Sequence, residues 1–237
     1  MRVSDLTPAV LTAYEKTQGM KRATIRRELS VLAAAVVDAT ESGRLVGAPP
    51  IKLPPAPPGR TRHLNESEIG RLLAECRDDH LRLFVMLALN TGARRAAILD
   101  LTWPQIDFTT GVIDLNPPGR AQTQKKRPKV PMSPQLGDAL RNAQETADSL
   151  YVVNWHGQPI LSIKKALSAA AFRAGIAGVS AHVLRHIAGT LLAKAGVPLW
   201  MIGQLLGQSQ IETTARYAHF CPEFGKEAVA ILGRVTG

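Results

Sequence analysis

Residues 181–186 read AHVLRH and bring a histidine, an arginine and a second histidine into six positions. Ser180 directly before them is a typical N-cap residue, so the sequence predicts that a helix begins here. His182 and Arg185 are then three residues apart in the first turn and share one face of the helix. Three interpretations are open: a metal site on His182 and His186, a core histidine with a surface arginine, or a phosphate site.

The residues around AHVLRH favour phosphate over metal. His182 and His186 have the spacing of two shared metal ligands, but the carboxylate of an HExxH motif is missing and Arg185 lies between them. A helix N-terminus offers free N–H groups and the positive end of the helix dipole, which attract anions. The arginine adds two parallel donors for phosphate oxygens. We therefore expect an anion site and no metal.

Two further segments carry candidate residues that are ambiguous alone. TGARRAAIL, residues 91–99, places Arg94 after a Thr-Gly turn, near the start of a helix with Thr91 as its expected cap. LLGQSQIETTARYAH, residues 205–219, carries Tyr217 near the end of a predicted short helix. By itself Arg94 is more simply a surface arginine, and Tyr217 a half-buried packing residue.

The composition indicates an anionic partner. The chain has 237 residues, a formal net charge of +10 and a pI near 10.1, a balance typical of nucleic-acid binding and less often of membrane-surface binding. Cys76 and Cys221 lie far apart without CxxC spacing, which favours a reducing compartment. We see neither a signal peptide nor a run of about 20 apolar residues. The sequence therefore predicts a soluble cytoplasmic protein.

The predicted fold is mainly α with a small antiparallel β-sheet edge. Helical patterns precede a proline-rich linker, GAPPIKLPPAPPGR at residues 47–60, which separates residues 1–46 from a main domain at 61–237. In the main domain, GVIDL and KVPM have strand character and flank the basic turn segment NPPGRAQTQKKRP. YVVNWHGQP, residues 151–159, predicts a third short strand followed by a turn. Further helices are expected near 65–76, 80–90, 134–147, 163–174, 182–195, 198–206, 211–219 and 222–232.

Together, TGAR, HVLRH and LLGQSQIETTARYAH resemble, in this order and spacing, the motifs of the tyrosine recombinases, the phage integrases. The proline linker, the hairpin ending in KVPM and the upstream helices also fall where that family has them. The resemblance covers nearly the whole chain. It implies a catalytic domain at 61–237 and, at 1–46, a short and incomplete helical core-binding segment.

The resemblance implies phosphoryl transfer without metal, nucleotide or other cofactor. Tyr217 would attack a DNA phosphate, leaving a 3′-phosphotyrosyl link and a free 5′-hydroxyl. Arg94 and Arg185 would hold the non-bridging oxygens. His182 would accept or position the tyrosine proton. His186 would hold the catalytic side chains in place without contacting the phosphate itself.

Three positions depart from the family pattern. The acidic residue expected three places after Arg94 is Ala97, and the histidine or tryptophan of the LLGH-type motif is Gln208, whose amide can still donate to a phosphate oxygen. Where the family tends to have a lysine that protonates the leaving oxygen, this chain has Gln124. Lys125 is our candidate for that role, unless it and Lys126 only contact the DNA backbone.

We therefore interpret the chain as a site-specific recombinase of a bacterial prophage or mobile element, acting as a tetramer on double-stranded DNA. It would be cytoplasmic, bound to the nucleoid through its DNA, with no membrane partner. The principal alternative is a recombinase-derived DNA-binding protein with impaired or no cleavage. A type IB topoisomerase shares the chemistry but not the QSQIETT-like segment that precedes the tyrosine. The expected DNA-binding residues are Arg22, Arg26, Arg27, Lys126 and Arg127.

Overall fold

A computed structural model describes residues 5–17, 19, 21–47, 51–56, 63–209 and 211–220. The chain divides into two compact units, Met1–Thr61 and Arg62–Gly237. The predicted helix at 222–232 and Cys221 lie outside the described residues. None of the helices in the described part is long and apolar enough to cross a membrane.

The first unit contains α1 (Pro8–Thr17) and α2 (Arg22–Glu41). Its small core consists of Leu6, Leu11, Ile25, Leu29 and Val36. The apolar stripe predicted for α2 is thus buried, with Leu32 partly covered beside it. The described part of the proline-rich segment, 51–56, is neither helix nor strand. It is fastened to α2 by a hydrogen bond from the Arg26 guanidinium to the Pro54 carbonyl.

The second unit is mainly helical. Three of its helices begin at residues whose side chains cap them: Asn65 makes a capping box with Glu68, and the hydroxyls of Ser133 and Ser180 accept from the backbone N–H three residues on. The helices are α3 (Glu66–Ala74), α4 (Asp79–Thr91), α5 (Arg95–Leu99), α6 (Pro134–Glu145), α7 (Lys164–Arg173), α8 (Ala181–Lys194), α9 (Leu199–Leu206) and α10 (Ile211–Ala215).

Two small antiparallel sheets complete this unit. β1 (Ile106–Asp107), β2 (Val112–Asp114) and β3 (Lys129–Pro131) pair in that order, with Ile113 opposite Val130. β4 (Asn154–Trp155) and β5 (Gln158–Pro159) form a separate hairpin. The predicted class, mainly α with a small antiparallel sheet edge, is confirmed.

The core of the second unit lies where α4 packs against α8, and this packing positions the site. Phe84 and Leu87 on α4 are fully buried, as is Leu184 on α8. Gly92 ends α4 in the left-handed region, with φ 59°. A Cβ at Gly92 would collide with the Leu206 side chain of α9, so this turn requires glycine.

Three predictions about local structure are corrected. Thr91 does not cap α5: it is the last residue of α4, and Arg94 is the N-cap of α5. Tyr217 lies beyond α10, in the turn before a 3-10 helix at Ala218–Phe220, because α10 ends at Ala215. The segment YVVNWHGQP has the predicted turn, but two short strands, β4 and β5, flank it where one strand was expected. The two-residue strand β1 had no signal in the sequence.

Candidate active site

Arg185 is a buried arginine on the first turns of α8. Only 5% of the residue is exposed, and its Nη1 donates to the Gly92 carbonyl at 2.8 Å. Burial, followed by the positive charge of Arg94, lowers the pKa of Arg185 to about 10. A guanidinium that is buried against a second one favours an anion as its partner.

Arg94 connects the end of α9 to the segment before β3. Its Nη1 donates to the Lys126 carbonyl at 2.9 Å, and its Nη2 donates to the Gly207 carbonyl at 3.1 Å. Burial and the charges of Arg120 and Arg127 lower the pKa of Arg94. Arg94 of TGAR and Arg185 of HVLRH line the same small pocket, and the charge of Arg94 contributes to the lowered pKa of Arg185.

Ala97 lies where the family pattern has an acidic residue, and its surroundings are strongly basic. It lines one small pocket together with Arg94, Arg127 and Arg185. Asp100, one helical turn further on, accepts from Arg127 Nη2 at 2.7 Å. Arg127 Nη1 is buried and has no hydrogen-bond partner in the described part of the chain. Asp100 thus partly neutralises this pocket, although it is paired with Arg127 and not with Arg94.

Tyr217 lies next to α8, with only 2% of its surface exposed. Its hydroxyl is 3.1 Å from His186 Nδ1, and the Gln208 side chain hydrogen-bonds it as well. Burial raises the pKa of Tyr217, while Arg185, Arg216 and the bond from Gln208 act in the opposite direction. The tyrosine predicted to be the nucleophile is therefore held by two side chains close to Arg185.

Gln208 is oriented by a threonine on α10. The Thr214 hydroxyl donates to Gln208 Oε1 at 2.7 Å, which leaves the amide N–H₂ to face other groups. Gly207 ends α9 in the left-handed region, and a Cβ there would collide with the Lys126 carbonyl. This close approach brings Gln208 and the lysine-bearing segment to the same place.

The two histidines of AHVLRH contact each other. His186 Nε2 is 2.8 Å from His182 Nε2, and it is His186, one helical turn further from the N-terminus, that contacts the tyrosine hydroxyl. Burial, followed by the charges of His182, Arg216, Arg185 and His63, lowers the pKa of His186 to about 4. His186 is therefore neutral at physiological pH, and its two ring nitrogens differ in role.

The candidate lysines lie on an exposed segment whose backbone forms one edge of the site. Ser209 donates to the Gln124 carbonyl at 2.8 Å, and the Lys126 carbonyl accepts from Arg94. The hydrogen bonds and ion pairs of the described residues do not include the ammonium of Lys125 or Lys126. Both lysines are thus on a segment fixed to the site by its backbone.

Three residues of the site had not been singled out in the sequence. Arg216, next to the tyrosine, has Nη1 3.4 Å from His186 Nε2. Gly189 and Thr214 contact Tyr217 and Gln208, respectively. An isolated glycine inside a helical pattern was the one available signal, since it often marks close packing. Among the described residues, no three His, Cys, Asp or Glu side chains converge as metal ligands.

The expected DNA-binding arginines of α2 belong to the first unit. Arg22 and Arg27 are exposed, whereas Arg26 is half-buried and bound to Pro54. Arg26 therefore has a structural contact in addition to any contact with DNA.

Comparison with known proteins gives a consistent result. Residues 62–223 match the model of the phage integrase family. The integrase of Salmonella phage P22 is 30% identical over 205 residues, which cover 80% of this chain and 52% of that protein. The tyrosine recombinase XerC of Lactobacillus delbrueckii subsp. bulgaricus is 29% identical and covers 88% and 77% of the two chains. The chain spans about half the length of several of these relatives.

Solved structures show the same fold. The catalytic domain of bacteriophage HP1 integrase is 31% identical with a TM-score of 0.55, over 71% of this chain and 93% of that one. The Tn1549 transposon integrase, in complex with a circular intermediate DNA, superposes with a TM-score of 0.79 at 18% identity, over 99% and 85% of the two chains. With its paired arginines and the tyrosine bound beside them, the chain belongs to the phage integrase family of tyrosine recombinases.

Proposed function

We propose that the protein is a site-specific DNA recombinase that cleaves and rejoins strands through Tyr217. The observation that carries the proposal is the position of the Tyr217 hydroxyl. It is bound to His186 and Gln208 beside the buried guanidinium of Arg185, and the Gly207 carbonyl next to Gln208 is bound to Arg94. One nucleophile and two arginines thus lie around one place.

The proposed reaction exchanges one phosphodiester for another. The Tyr217 oxygen attacks the phosphorus, the bond from phosphorus to the 5′-oxygen breaks, and the tyrosine becomes linked to the 3′-phosphate. Arg94 and Arg185 neutralise the charge on the non-bridging oxygens in the transition state. The tyrosine loses a proton and the 5′-oxygen gains one. The exchange consumes no energy source, so it requires no nucleotide cofactor.

For the proton that the 5′-oxygen gains, we propose Lys125, with Lys126 as the competing donor. Support comes from the segment that carries both residues, because its backbone contacts Arg94 and Ser209. A donor is needed because an alkoxide is a poor leaving group, whereas a thiolate leaves without protonation.

Double-stranded DNA is the proposed partner, bound by a tetramer at the recombination site. The net charge of +10 and the exposed Arg22, Arg27 and Lys126 support phosphate contacts. Several related structures are of integrases in complex with DNA, and one is of a lambda integrase dimer bound to a core site.

A second candidate function is DNA binding without cleavage. Two observations favour it: Tyr217 is 2% exposed, and two N–H groups of Arg94 are bound to carbonyls. Cleavage requires that DNA gains access to the tyrosine and binds either the remaining N–H groups of Arg94 or the two that now donate to these carbonyls. A protein that only binds DNA would keep Tyr217 buried and Arg94 bound to these carbonyls.

A covalent trapping experiment separates the two functions. Duplexes that the full chain binds are selected from a randomised library. Nicked versions of them are incubated with the protein, and the reaction is then stopped with a denaturant. A recombinase gives a covalent protein–DNA adduct that Tyr217→Phe abolishes while DNA affinity stays nearly unchanged. Tight binding with no adduct from the wild type would support the second candidate instead.

A further inference from the structure

We propose that Arg216 is a positioning residue that fixes the tautomer of His186, so that the imidazole donates a hydrogen bond to the Tyr217 oxygen. The inference rests on the proposed function and deepens it, because it identifies what stabilises the nucleophile as an anion. Arg216 is an exposed residue directly before the tyrosine in the chain. Its Nη1 lies 3.4 Å from His186 Nε2, with a guanidinium N–H directed at that nitrogen.

The arginine decides the tautomer because it can only donate. A guanidinium has no acceptor atom, so the ring nitrogen that it approaches has to be the unprotonated one. His182 Nε2, which is 2.8 Å from the same nitrogen, then also acts as a donor. Neutral imidazole carries one proton, which is therefore on His186 Nδ1. That nitrogen lies 3.1 Å from the Tyr217 hydroxyl oxygen and donates to it.

Gln208 supplies a second donor to the same oxygen. The Thr214 hydroxyl donates to Gln208 Oε1 at 2.7 Å, so the amide meets the tyrosine through its N–H₂ group. The Tyr217 oxygen thus accepts from one imidazole and one amide. Both bonds are stronger when the oxygen is charged, so they favour the phenolate over the phenol. Ionisation releases the phenolic hydrogen to water.

The charges around the tyrosine act in the same direction as these two donors. Burial raises the pKa of Tyr217, and the positive charges of Arg185 and Arg216 lower it. His186 is kept neutral by burial and by the charges of His182, Arg216, Arg185 and His63. The tyrosine oxygen carries negative charge when it attacks phosphorus and again when it leaves during rejoining. The same two N–H groups therefore serve both half-reactions.

The alternative role for Arg216 is a contact with a DNA phosphate and nothing else. An exposed arginine beside the nucleophile is well placed for that contact. The two roles differ in the protein without DNA. A residue that only contacts phosphate leaves the tautomer of His186 and the ionisation of Tyr217 unchanged when it is replaced.

The first test therefore uses the full chain without DNA. Long-range ¹⁵N–¹H NMR correlations identify the protonated ring nitrogen of His186. Tyrosine labelled at ¹³Cζ reports the ionisation of Tyr217, whose signal is assigned from its loss in Tyr217→Phe. We expect Nδ1–H on His186 in the wild type and a large share of Nε2–H in Arg216→Met. In that variant the ionisation constant of Tyr217 should fall about tenfold or more.

Two further variants complete this test. Arg216→Lys keeps a donor and should retain more Nδ1–H on His186 than Arg216→Met does. Arg77→Met is the matched control, since Arg77 is an exposed arginine whose ion pair is with Glu75. It should leave both NMR readouts at their wild-type values.

The second test measures single-turnover adduct formation by the full chain from pH 5.5 to 10.5. The substrate is a selected nicked duplex with sulfur in place of the bridging 5′-oxygen, so that leaving-group protonation does not limit the rate. Arg216→Met should react about 10–100-fold more slowly than the wild type at pH 7, the worth of one hydrogen bond to a charged oxygen. The difference should shrink as the pH rises and the tyrosine ionises in both proteins. Arg77→Met should follow the wild-type profile.

Three results would overturn the proposal even if the protein cleaves DNA. The first is Nε2–H on His186 in the wild type. The second is unchanged ionisation of Tyr217 in Arg216→Met, and the third is a rate that this variant lowers equally at every pH. With the expected NMR results but no adduct from the wild type at any pH, the proposed function fails while the positioning of His186 by Arg216 stands.

Discussion

At the residue scale, the position of Tyr217 depends on a residue that has no side chain. Gly189 lies in the middle of α8, and a Cβ placed on it would be 2.5 Å from Tyr217 Cζ and 2.9 Å from the hydroxyl oxygen. The ring therefore lies deeper against α8 than any other residue at 189 would allow. This is how a polar, reactive side chain becomes one of the largest fully buried groups of the protein.

We predict that Gly189→Ala displaces the tyrosine. The mutation should lower the free energy of unfolding by about 1–3 kcal/mol, the usual cost of overpacking, despite the better helix propensity of alanine. Adduct formation should fall at least tenfold, because the hydroxyl leaves His186 and Gln208. Chemical denaturation and the trapping assay measure the two effects.

Gly70→Ala is the matched control for this prediction. Gly70 is also inside a helix, but a Cβ there would meet nothing within 4 Å. It should stabilise the protein by about 0.5–1 kcal/mol and leave adduct formation unchanged. Equal effects of the two mutations would mean that helix propensity, and not contact with the tyrosine, governs position 189.

The lowered pKa of His186 predicts how the stability of the protein depends on pH. Its pKa in the folded protein is about 4, below the ordinary value of 6.5, so between these values the unfolded chain binds more protons. The contribution of His186 to stability is therefore present above about pH 6.5 and is lost as the pH falls towards 4. The melting temperature of the wild type should decrease more steeply over this range than that of His186→Gln. Parallel curves would contradict the assignment of this pKa to His186.

The sequence contained part of this site. The Ser180 cap placed Arg185 and His182 on the first turns of α8, and the family motifs indicated Arg94 and Tyr217. The contact between His186 and Tyr217 was not predictable, because it joins residues 31 positions apart and depends on the path of the turn after α10. The sequence places His182 and His186 one helical turn apart, and this spacing does not indicate which of the two contacts the tyrosine.

At the scale of elements, Arg94 acts as a cross-link. It occupies the N-cap position of α5, and its guanidinium binds the carbonyls of Gly207, at the end of α9, and Lys126, before β3. The segment 116–128, which carries the candidate lysines, is thus fixed to the helices that carry Gln208. A phosphate that takes over the Arg94 N–H groups would release both connections at once.

We therefore predict that Arg94→Ala loosens the lysine-bearing segment. Trypsin should cleave after Lys125 or Lys126 several times faster in this variant than in the wild type, as followed by mass spectrometry of the fragments. Arg95→Ala is the matched control, since Arg95 is an exposed neighbour on α5. If both variants are cut at the wild-type rate, Arg94 does not fix the segment.

The elements themselves were predictable where local signals were strong. Asn65, Ser133 and Ser180 start helices as expected, because their side chains satisfy backbone N–H groups. Thr91 was misleading: its hydroxyl donates to the Leu87 carbonyl within α4 and accepts from the Ala93 N–H. That bond extends α4 to the Thr-Gly turn and makes Arg94 the residue that starts α5.

At the scale of the whole molecule, the positive charge is distributed over both units. Arg22 and Arg27 lie on α2 of the first unit, whereas Lys126 lies beside the site in the second. Each of these side chains is exposed. The proposed DNA contacts therefore involve residues far apart in the chain, and they carry no sequence information by themselves.

We predict that replacing Arg22, Arg27 and Lys126 with alanine weakens binding to all DNA sequences alike. Each lost phosphate contact should reduce the slope of log affinity against log salt by about 0.9. Fluorescence anisotropy at several salt concentrations measures this, on a selected duplex and on an unrelated one. Glu41, at the end of α2, supplies a control in Glu41→Ala, which should not reduce the slope. An unchanged slope in the triple variant would remove these residues from the interface.

The most direct test of the central claim identifies the atom that becomes linked to DNA. The trapped adduct of the full chain is digested with nuclease and trypsin and analysed by tandem mass spectrometry. The account predicts a nucleotide joined through its 3′-phosphate to Tyr217, in the peptide 217–226 that begins after Arg216. An adduct on another residue, or through a 5′-phosphate, would contradict it.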